Sequence, residues 1–218
     1  MGFPRCEGSS RAAGDAPRLI VCQRAHRGCN VPAIPDFRLG VWNGWVPLMV
    51  YAIGLLAALT TLSREERAWL FTDPKVHLRG PRKALLRAGQ MVALGYIVAM
   101  VFAPVTVGSL RFALGLGLYL LGYVTVIASL RYFRRATPDK PAIDGPYRLS
   151  RNPQWVGLFL VLLGSALTCG SWLLLGMVLA VAATYHIQIV EEEKTCLARY
   201  GGSYAEYMKA VPRYLLFL

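Results

Sequence analysis

Charge is scarce in this chain of 218 residues, and negative charge scarcer still: 17% of residues are charged and 12 are Asp or Glu. A soluble chain usually carries about 25% charged residues. The shortage excludes a disordered chain, which needs high charge and low hydrophobicity. Cysteine is sparse as well. Five cysteines without a Cys-x-x-Cys pair exclude a secreted disulfide scaffold. Cys22, His26 and Cys29 are three potential metal ligands with no fourth nearby, so no metal site is expected. Helix-turn-helix, zinc-finger and aromatic RNA-binding patterns are missing too, and the net charge of +12 therefore does not indicate nucleic acid.

What the chain has in excess is apolar sequence, 55% of residues, gathered into runs separated by Arg-rich stretches. Runs of this length are read as bilayer-spanning helices, which makes the expected fold an all-α, polytopic membrane bundle. Spans are expected at about 41–62, 88–104, 112–130, 153–169 and 171–190, five in all. Residues 1–40 read as a polar, basic tail, 41–130 as three spans, and 131–218 as a polar loop, a two-helix hairpin and a C-terminal interfacial helix. The sequence Ser63-x-x-Glu66 reads as a capping box opening a short interfacial helix. Gly54 and Ala58, and Gly115 with Gly117, suit close helix approach. Lys and Arg number seven in 63–87, six in 131–152 and four in the C-terminal segment, against one in 105–111. That asymmetry orients the C-terminus to the cytosol and the N-terminus outside.

The hairpin carries a spatial expectation. Cys169-Gly170-Ser171 is too short to let its two helices be anything but antiparallel neighbours. At 1.5 Å per residue, Asn152 and Glu193 each lie roughly 27–35 Å from that turn, at the same membrane interface. The polar loop 131–152 therefore meets Glu191-Glu192-Glu193. Successive helical residues point 100° apart, so three consecutive carboxylates cannot all face water and at least one should enter the bundle. His186 shares a face with Glu193, and Tyr185 and Gln188 share one with Glu192.

The segment Gly145-Pro146-Tyr147-Arg148-Leu149-Ser150-Arg151-Asn152-Pro153-Gln154-Trp155-Val156-Gly157 resembles a motif of the isoprenylcysteine carboxyl methyltransferase and phospholipid methyltransferase group. A second stretch is similar too: Glu192-Glu193, Tyr200-Gly201, Tyr204, Glu206-Tyr207 and Val211-Pro212-Arg213. The resemblance covers about residues 131–214. It implies an S-adenosylmethionine site at the cytosolic membrane face and a lipophilic small-molecule acceptor entering from the bilayer. By position, Tyr147, Asn152, Pro153, Gln154, Trp155 and Glu193 would line the cofactor pocket. Trp155 and Tyr147 suit adenine. Arg151, Arg148 or Lys140 suits the methionyl carboxylate, and Glu193, with Glu192 behind it, the ammonium and ribose hydroxyls. An acceptor that must lose a proton could pass it to Glu192 or His186.

Two departures bear on the acceptor. Asn152 stands where the family often has His. Ile189 stands where the prenylcysteine enzymes carry Arg for the substrate carboxylate, so a lipophilic thiol, amine or quinol-like hydroxyl fits as well as prenylcysteine. A rival resemblance runs through Glu193-x-x-Cys196-x-x-Arg199-Tyr200-Gly201, Tyr207 and Val211-Pro212. It is similar to membrane sterol double-bond reductases and implies NADPH, with Arg131, Arg134 and Arg135 for the 2′-phosphate. A non-catalytic membrane scaffold is the third reading.

Overall fold

The computed structural model describes residues 33–70, 78–134 and 140–215. The tail with Cys6, Cys22, His26 and Cys29 lies outside the described residues, as do Phe71 and Arg135. The regular elements among the described residues are all helices: α1 Trp45–Thr60, α2 Arg64–Leu70, α3 Pro81–Phe102, α4 Leu110–Phe133, α5 Pro153–Cys169, α6 Trp172–Tyr200 and α7 Gly202–Ala210, with a 3-10 turn at Gly145–Arg148. Three of these, α3, α4 and α6, are long and apolar enough to cross a membrane, while α1 and α5 are shorter apolar helices. Large apolar side chains such as Leu114, Val124 and Leu179 lie exposed on the outside. That is how a bundle solvated by lipid is built.

Several boundaries have local causes. The first helix starts at Trp45 and not Val41, because the preceding residues bond sideways to the α3–α4 connection. Gly44 N–H donates to Ala103 O at 2.9 Å and Val105 N–H to Trp42 O at 3.0 Å. The expected capping box is present: Ser63 N–H donates to the Glu66 carboxylate at 2.7 Å, and Glu66 N–H to Ser63 Oγ at 3.1 Å. These bonds hold the Glu66 carboxyl below its usual range, the Ser63 backbone N–H contributing most. Helix α3 starts at Pro81, several residues before the apolar run. Pro suits a first turn because its missing N–H has no partner to lose there. Helix α5 spans 153–169 as expected and stops at Gly170, whose left-handed backbone (φ 62°) needs no Cβ.

The C-terminal region departs from expectation. Residues 191–200 are not the start of a separate interfacial helix but the last turns of α6, which runs unbroken for 29 residues. The break comes at Gly201, with φ 56°, and α7 follows for only nine residues.

Helices α4 and α5 pack backbone against backbone, and glycine makes it possible. A Cβ on Gly122 would sit 2.5 Å from Gly157 O, and one on Gly164 2.5 Å from Gly115 O. The pairs 115/164 and 122/157 step by seven residues on each helix, two turns, so they recur on one face of an antiparallel pair. Gly117, by contrast, faces open space. Gly54 also sits at a contact, against the Tyr123 side chain. Helix α3 packs on α6, with Gly89 against Thr184. Tyr96, Met100, Ala166, Leu174 and Val178 form a core toward the Gly170 end, where Tyr96 donates its hydroxyl to Leu162 O at 2.7 Å.

Substitution along the seam should separate the two kinds of glycine. Gly122→Ala forces a methyl into a backbone and should cost about 1–3 kcal/mol. Gly117→Ala removes a helix-weakening glycine in open space and should be neutral or stabilise by up to about 1 kcal/mol. Thermal unfolding in detergent compares them, and equal midpoints for the two variants would contradict the seam.

Candidate functional site

The site begins with a glycine. Gly145 has φ +61°, and a Cβ there would lie 2.6 Å from the Tyr132 ring. Only glycine satisfies both conditions. The turn it starts buries Tyr147 and returns the chain to the first turn of α5, where Pro153 needs no N–H partner. Asn152 occupies the N-cap position of α5 but does not cap it. Its side-chain amide instead donates to the Glu193 carboxylate at 2.8 Å and to Arg213 O at 3.3 Å.

Glu193 is the centre of this arrangement. It is 3% exposed, and both its oxygens are met. Arg151 Nε donates to Oε1 at 3.0 Å and Arg151 Nη2 to Oε2 at 3.3 Å. Arg213 Nε donates to Oε2 at 3.0 Å, and Arg213 Nη2 lies 3.0 Å from the same oxygen as an ion pair. The remaining Arg151 nitrogen, Nη1, donates to Met208 O and Val211 O, both at 2.8 Å. Arg151 N–H donates to Pro212 O at 2.9 Å, and the buried Ser150 hydroxyl to Arg213 O at 2.9 Å. Three segments far apart in sequence (150–152, Glu193 and 208–213) are thereby tied at one point.

The neighbouring glutamates face elsewhere, as a 100° step requires. Glu192 accepts from Trp155 Nε1 and from Gln188 Nε2, each at 2.8 Å. Glu191 pairs with Lys194 at 2.8 Å and lies 3.8 Å from Arg82 of α3. The Trp155 ring rests against Tyr185, centroids 5.2 Å apart. Tyr147 donates its hydroxyl to Gln154 Oε1 at 3.2 Å, and its carbonyl accepts the Tyr207 hydroxyl at 2.6 Å. Burial raises Tyr147, Tyr204 and Tyr207 above the usual phenol range, so all three stay O–H donors.

These groups surround a cavity of about 100 Å³ with walls from Tyr147, Gln154, Glu192, Glu193, Cys196 and Tyr204. Of the residues singled out from the sequence, Tyr147, Arg151, Asn152, Gln154, Glu192 and Glu193 converge here. Pro153 and Trp155 flank Gln154 on the first turn of α5 without lining the cavity, and Trp155 bonds the wall residue Glu192. Arg148 does not converge: it is exposed and bound to Asp144 at 3.0 Å. Lys140 is exposed beside the wall residue Pro141. His186 lies two helical turns away, exposed, with Nδ1 2.7 Å from the Tyr214 hydroxyl. Sequence reading missed Arg213 as the second cation on Glu193, although it ends the Val211-Pro212-Arg213 stretch already singled out. It also missed Ser150, whose small hydroxyl carries no sequence signal beyond its place between two arginines.

The profile of the phospholipid methyltransferase family matches residues 110–203, which hold α4, the 145–148 turn, α5 and α6. The match extends the resemblance upstream into α4 and covers both glycine-seam helices. It stops before Tyr204, Tyr207 and Arg213. No curated protein and no solved structure matches the chain.

The cage around Glu193 makes two predictions. Glu193→Gln leaves two arginines without their anion and should destabilise by about 3–5 kcal/mol, the usual cost of breaking a buried pair. Arg213→Gln should cost less, because Arg151 still neutralises the carboxylate. Thermal unfolding of the two variants measures both, and a Glu193→Gln protein as stable as the parent would refute the first. The second concerns alkaline pH. A phenol raised on folding binds its proton more tightly in the folded state, so its contribution is complete below the unfolded value near 10 and is lost as pH rises further. Stability should therefore fall above about pH 10, and less steeply in Tyr207→Phe than in the parent.

Proposed function

We propose that this chain is an integral-membrane methyltransferase that transfers a methyl group from S-adenosylmethionine to a lipophilic small molecule taken from the bilayer. One observation carries the reading: the segment matching the phospholipid methyltransferase family contains both halves of the polar cavity, Tyr147–Gln154 and Glu192–Cys196. The cofactor combines an aromatic base, a diol and an amino-acid end bearing both charges. The cavity residues suit it, with phenol rings at Tyr147, Tyr204 and Tyr207 and a carboxylate and guanidinium already 3.0 Å apart at Glu193 and Arg151. At about 100 Å³ the cavity is smaller than the roughly 300–1,000 Å³ of ordinary ligand sites. Binding must therefore part its walls.

When bound, the cofactor supplies an electrophilic methyl on a sulfonium. The work left to the protein is to align donor and acceptor and keep water out. The Glu193 cage supports the first by holding the 150–152 turn against α6, and the buried tyrosines support the second. Glu192, which accepts from Trp155 and Gln188, stands outside the hydrogen bonds that close the Glu193 cage. It is our candidate for taking a proton from an amine or thiol acceptor, with His186 the alternative; a carboxylate acceptor needs neither. Ile189 is fully buried. The position that carries a cation in prenylcysteine enzymes thus offers no charge to a substrate, which favours an acceptor with a neutral or small head. The Lys and Arg distribution favours a cytosolic site and C-terminus, with the N-terminus outside.

Thermal stability of the detergent-purified protein with S-adenosylmethionine, S-adenosylhomocysteine and NADPH in parallel tests the reading. A ligand at about 100 times its dissociation constant adds roughly 2.7 kcal/mol. A rise with either adenosyl-sulfur ligand, weakened by Gln154→Leu, is the expected result. A rise with NADPH alone would replace methyl transfer with double-bond reduction, and no response to any of the three would favour a scaffold.

A further inference from the structure

Outside the polar cavity, the hairpin carries a second concavity with a different chemistry. It lies between α5 and α6, measures about 680 Å³, and has walls of Phe159, Leu163, Leu179 and Ala182. One end is closed by His186 and Tyr214. Its side walls are apolar and open to the outside of the bundle, as Leu179 shows at 70% exposure. In a membrane, lipid covers such a surface, and on its own the groove would signify nothing more.

The closed end changes that. His186 is 14 residues along α6 from Trp172, about 21 Å of helix, while the hydrocarbon core is about 30 Å thick. An exposed imidazole therefore stands roughly two turns short of the interface where Glu193 lies, at the end of an apolar trough. Ionisable groups at that depth are costly, and they mark binding or transport sites by default. The imidazole is not left to hydrocarbon, since Nδ1 lies 2.7 Å from the Tyr214 hydroxyl. Tyr214 follows Arg213 directly, and Arg213 is bound to Glu193. The same short strap thus presents one residue to the polar cage and the next to the groove.

We propose that the α5–α6 groove holds the hydrocarbon chain of the methyl acceptor, with the His186–Tyr214 pair as the polar stop that receives its head. The assignment rests on the methyl-transfer reading in taking the occupant to be the acceptor. The occupant is a single-chain lipid whose head is small and forms hydrogen bonds, such as a long-chain alcohol, thiol or amine. The seat at the end of the groove consists of one imidazole and one phenol, which suits a small hydrogen-bonding head. A bulk phospholipid, which would seat anywhere on the outer surface, is the competing occupant. Chain length then selects the acceptor: the trough sets how much hydrocarbon lies below the head when the head meets His186.

The test uses the full chain in phosphatidylcholine nanodiscs, with hexadecanol carrying a mid-chain diazirine as the photoprobe. Label should concentrate on the peptides containing Leu163 and Leu179 over those containing Ile53 and Leu56 on the outer side of α1. Unlabelled hexadecanol should displace it, and Ala182→Trp, which fills the trough, should remove it. Leu163→Trp fills the trough from the facing helix and replaces Ala182→Trp if that protein does not fold. A diazirine-bearing hexadecane should label less than the alcohol in the parent and equally in His186→Phe, which separates head recognition from simple packing. Label spread evenly over α1 and the hairpin, and insensitive to Ala182→Trp, would mean bulk lipid only and would overturn the site. The adenosyl-sulfur thermal response of Ala182→Trp should match the parent, so loss of labelling with that response intact counts against the groove alone. Specific labelling of a protein that answers neither adenosyl-sulfur ligand would overturn the occupant's assignment as a methyl acceptor.

Discussion

The polar end of this molecule is organised around a carboxylate that has been taken out of water. A buried ion costs several kcal/mol unless its partners are in place, and Glu193 has no partner on its own helix strong enough to meet that cost. Its cations come from the turn before α5 and from the strap after α7, and its neutral donor, Asn152, gives up a helix cap to reach it. The turn, the long helix and the C-terminal strap must therefore arrive together. Arg151 makes the connection rigid, because a planar guanidinium spans the carboxylate and two backbone carbonyls at once.

That meeting point depends on how α5 is placed, which the glycine seam determines. With backbone against backbone at 115/164 and 122/157, α5 can neither rotate nor slide on α4 without driving a side chain into a carbonyl. The seam thus sets the direction in which the first turn of α5 points, and with it Asn152, Gln154 and Trp155. Apolar side chains could have filled the same interface, but at a larger separation. Close approach also suits a lipid solvent, where no hydrophobic force drives helices together and van der Waals contact must do so.

The two concavities divide the labour the proposed reaction needs. The polar cavity is small, closed by phenols and charged on two sides, while the groove is large and apolar, with one imidazole at its end. Arg213 and Tyr214, adjacent in the chain, contribute one side chain to the Glu193 cage and the next to the end of the groove. A donor with both charges and an acceptor with almost none have opposite demands on their surroundings. Two sites of opposite polarity built on the same two segments, α6 and 213–214, would meet both demands, and the proposed transfer still requires donor and acceptor to be brought into line.

Much of this was legible in residue order. Run lengths located the helices, the Ser63–Glu66 spacing yielded its capping box, and the short turn at Gly170 made a hairpin unavoidable. Rise per residue then placed Asn152 and Glu193 at one level, and they are hydrogen-bonded. All these are properties along a helix axis, where 1.5 Å per residue holds whatever the neighbours are. Rotation about the axis and the path of the irregular segments were not legible. Gly115 rather than Gly117 entered the seam, Arg213 joined Arg151 on Glu193 while Arg148 turned outward to Asp144, and Glu192 went to Trp155. Residue order settles which groups reach the interface. Only tertiary packing decided which of them touch, because a helix can turn about its axis without changing any local preference, and contact with its neighbours is what stops it.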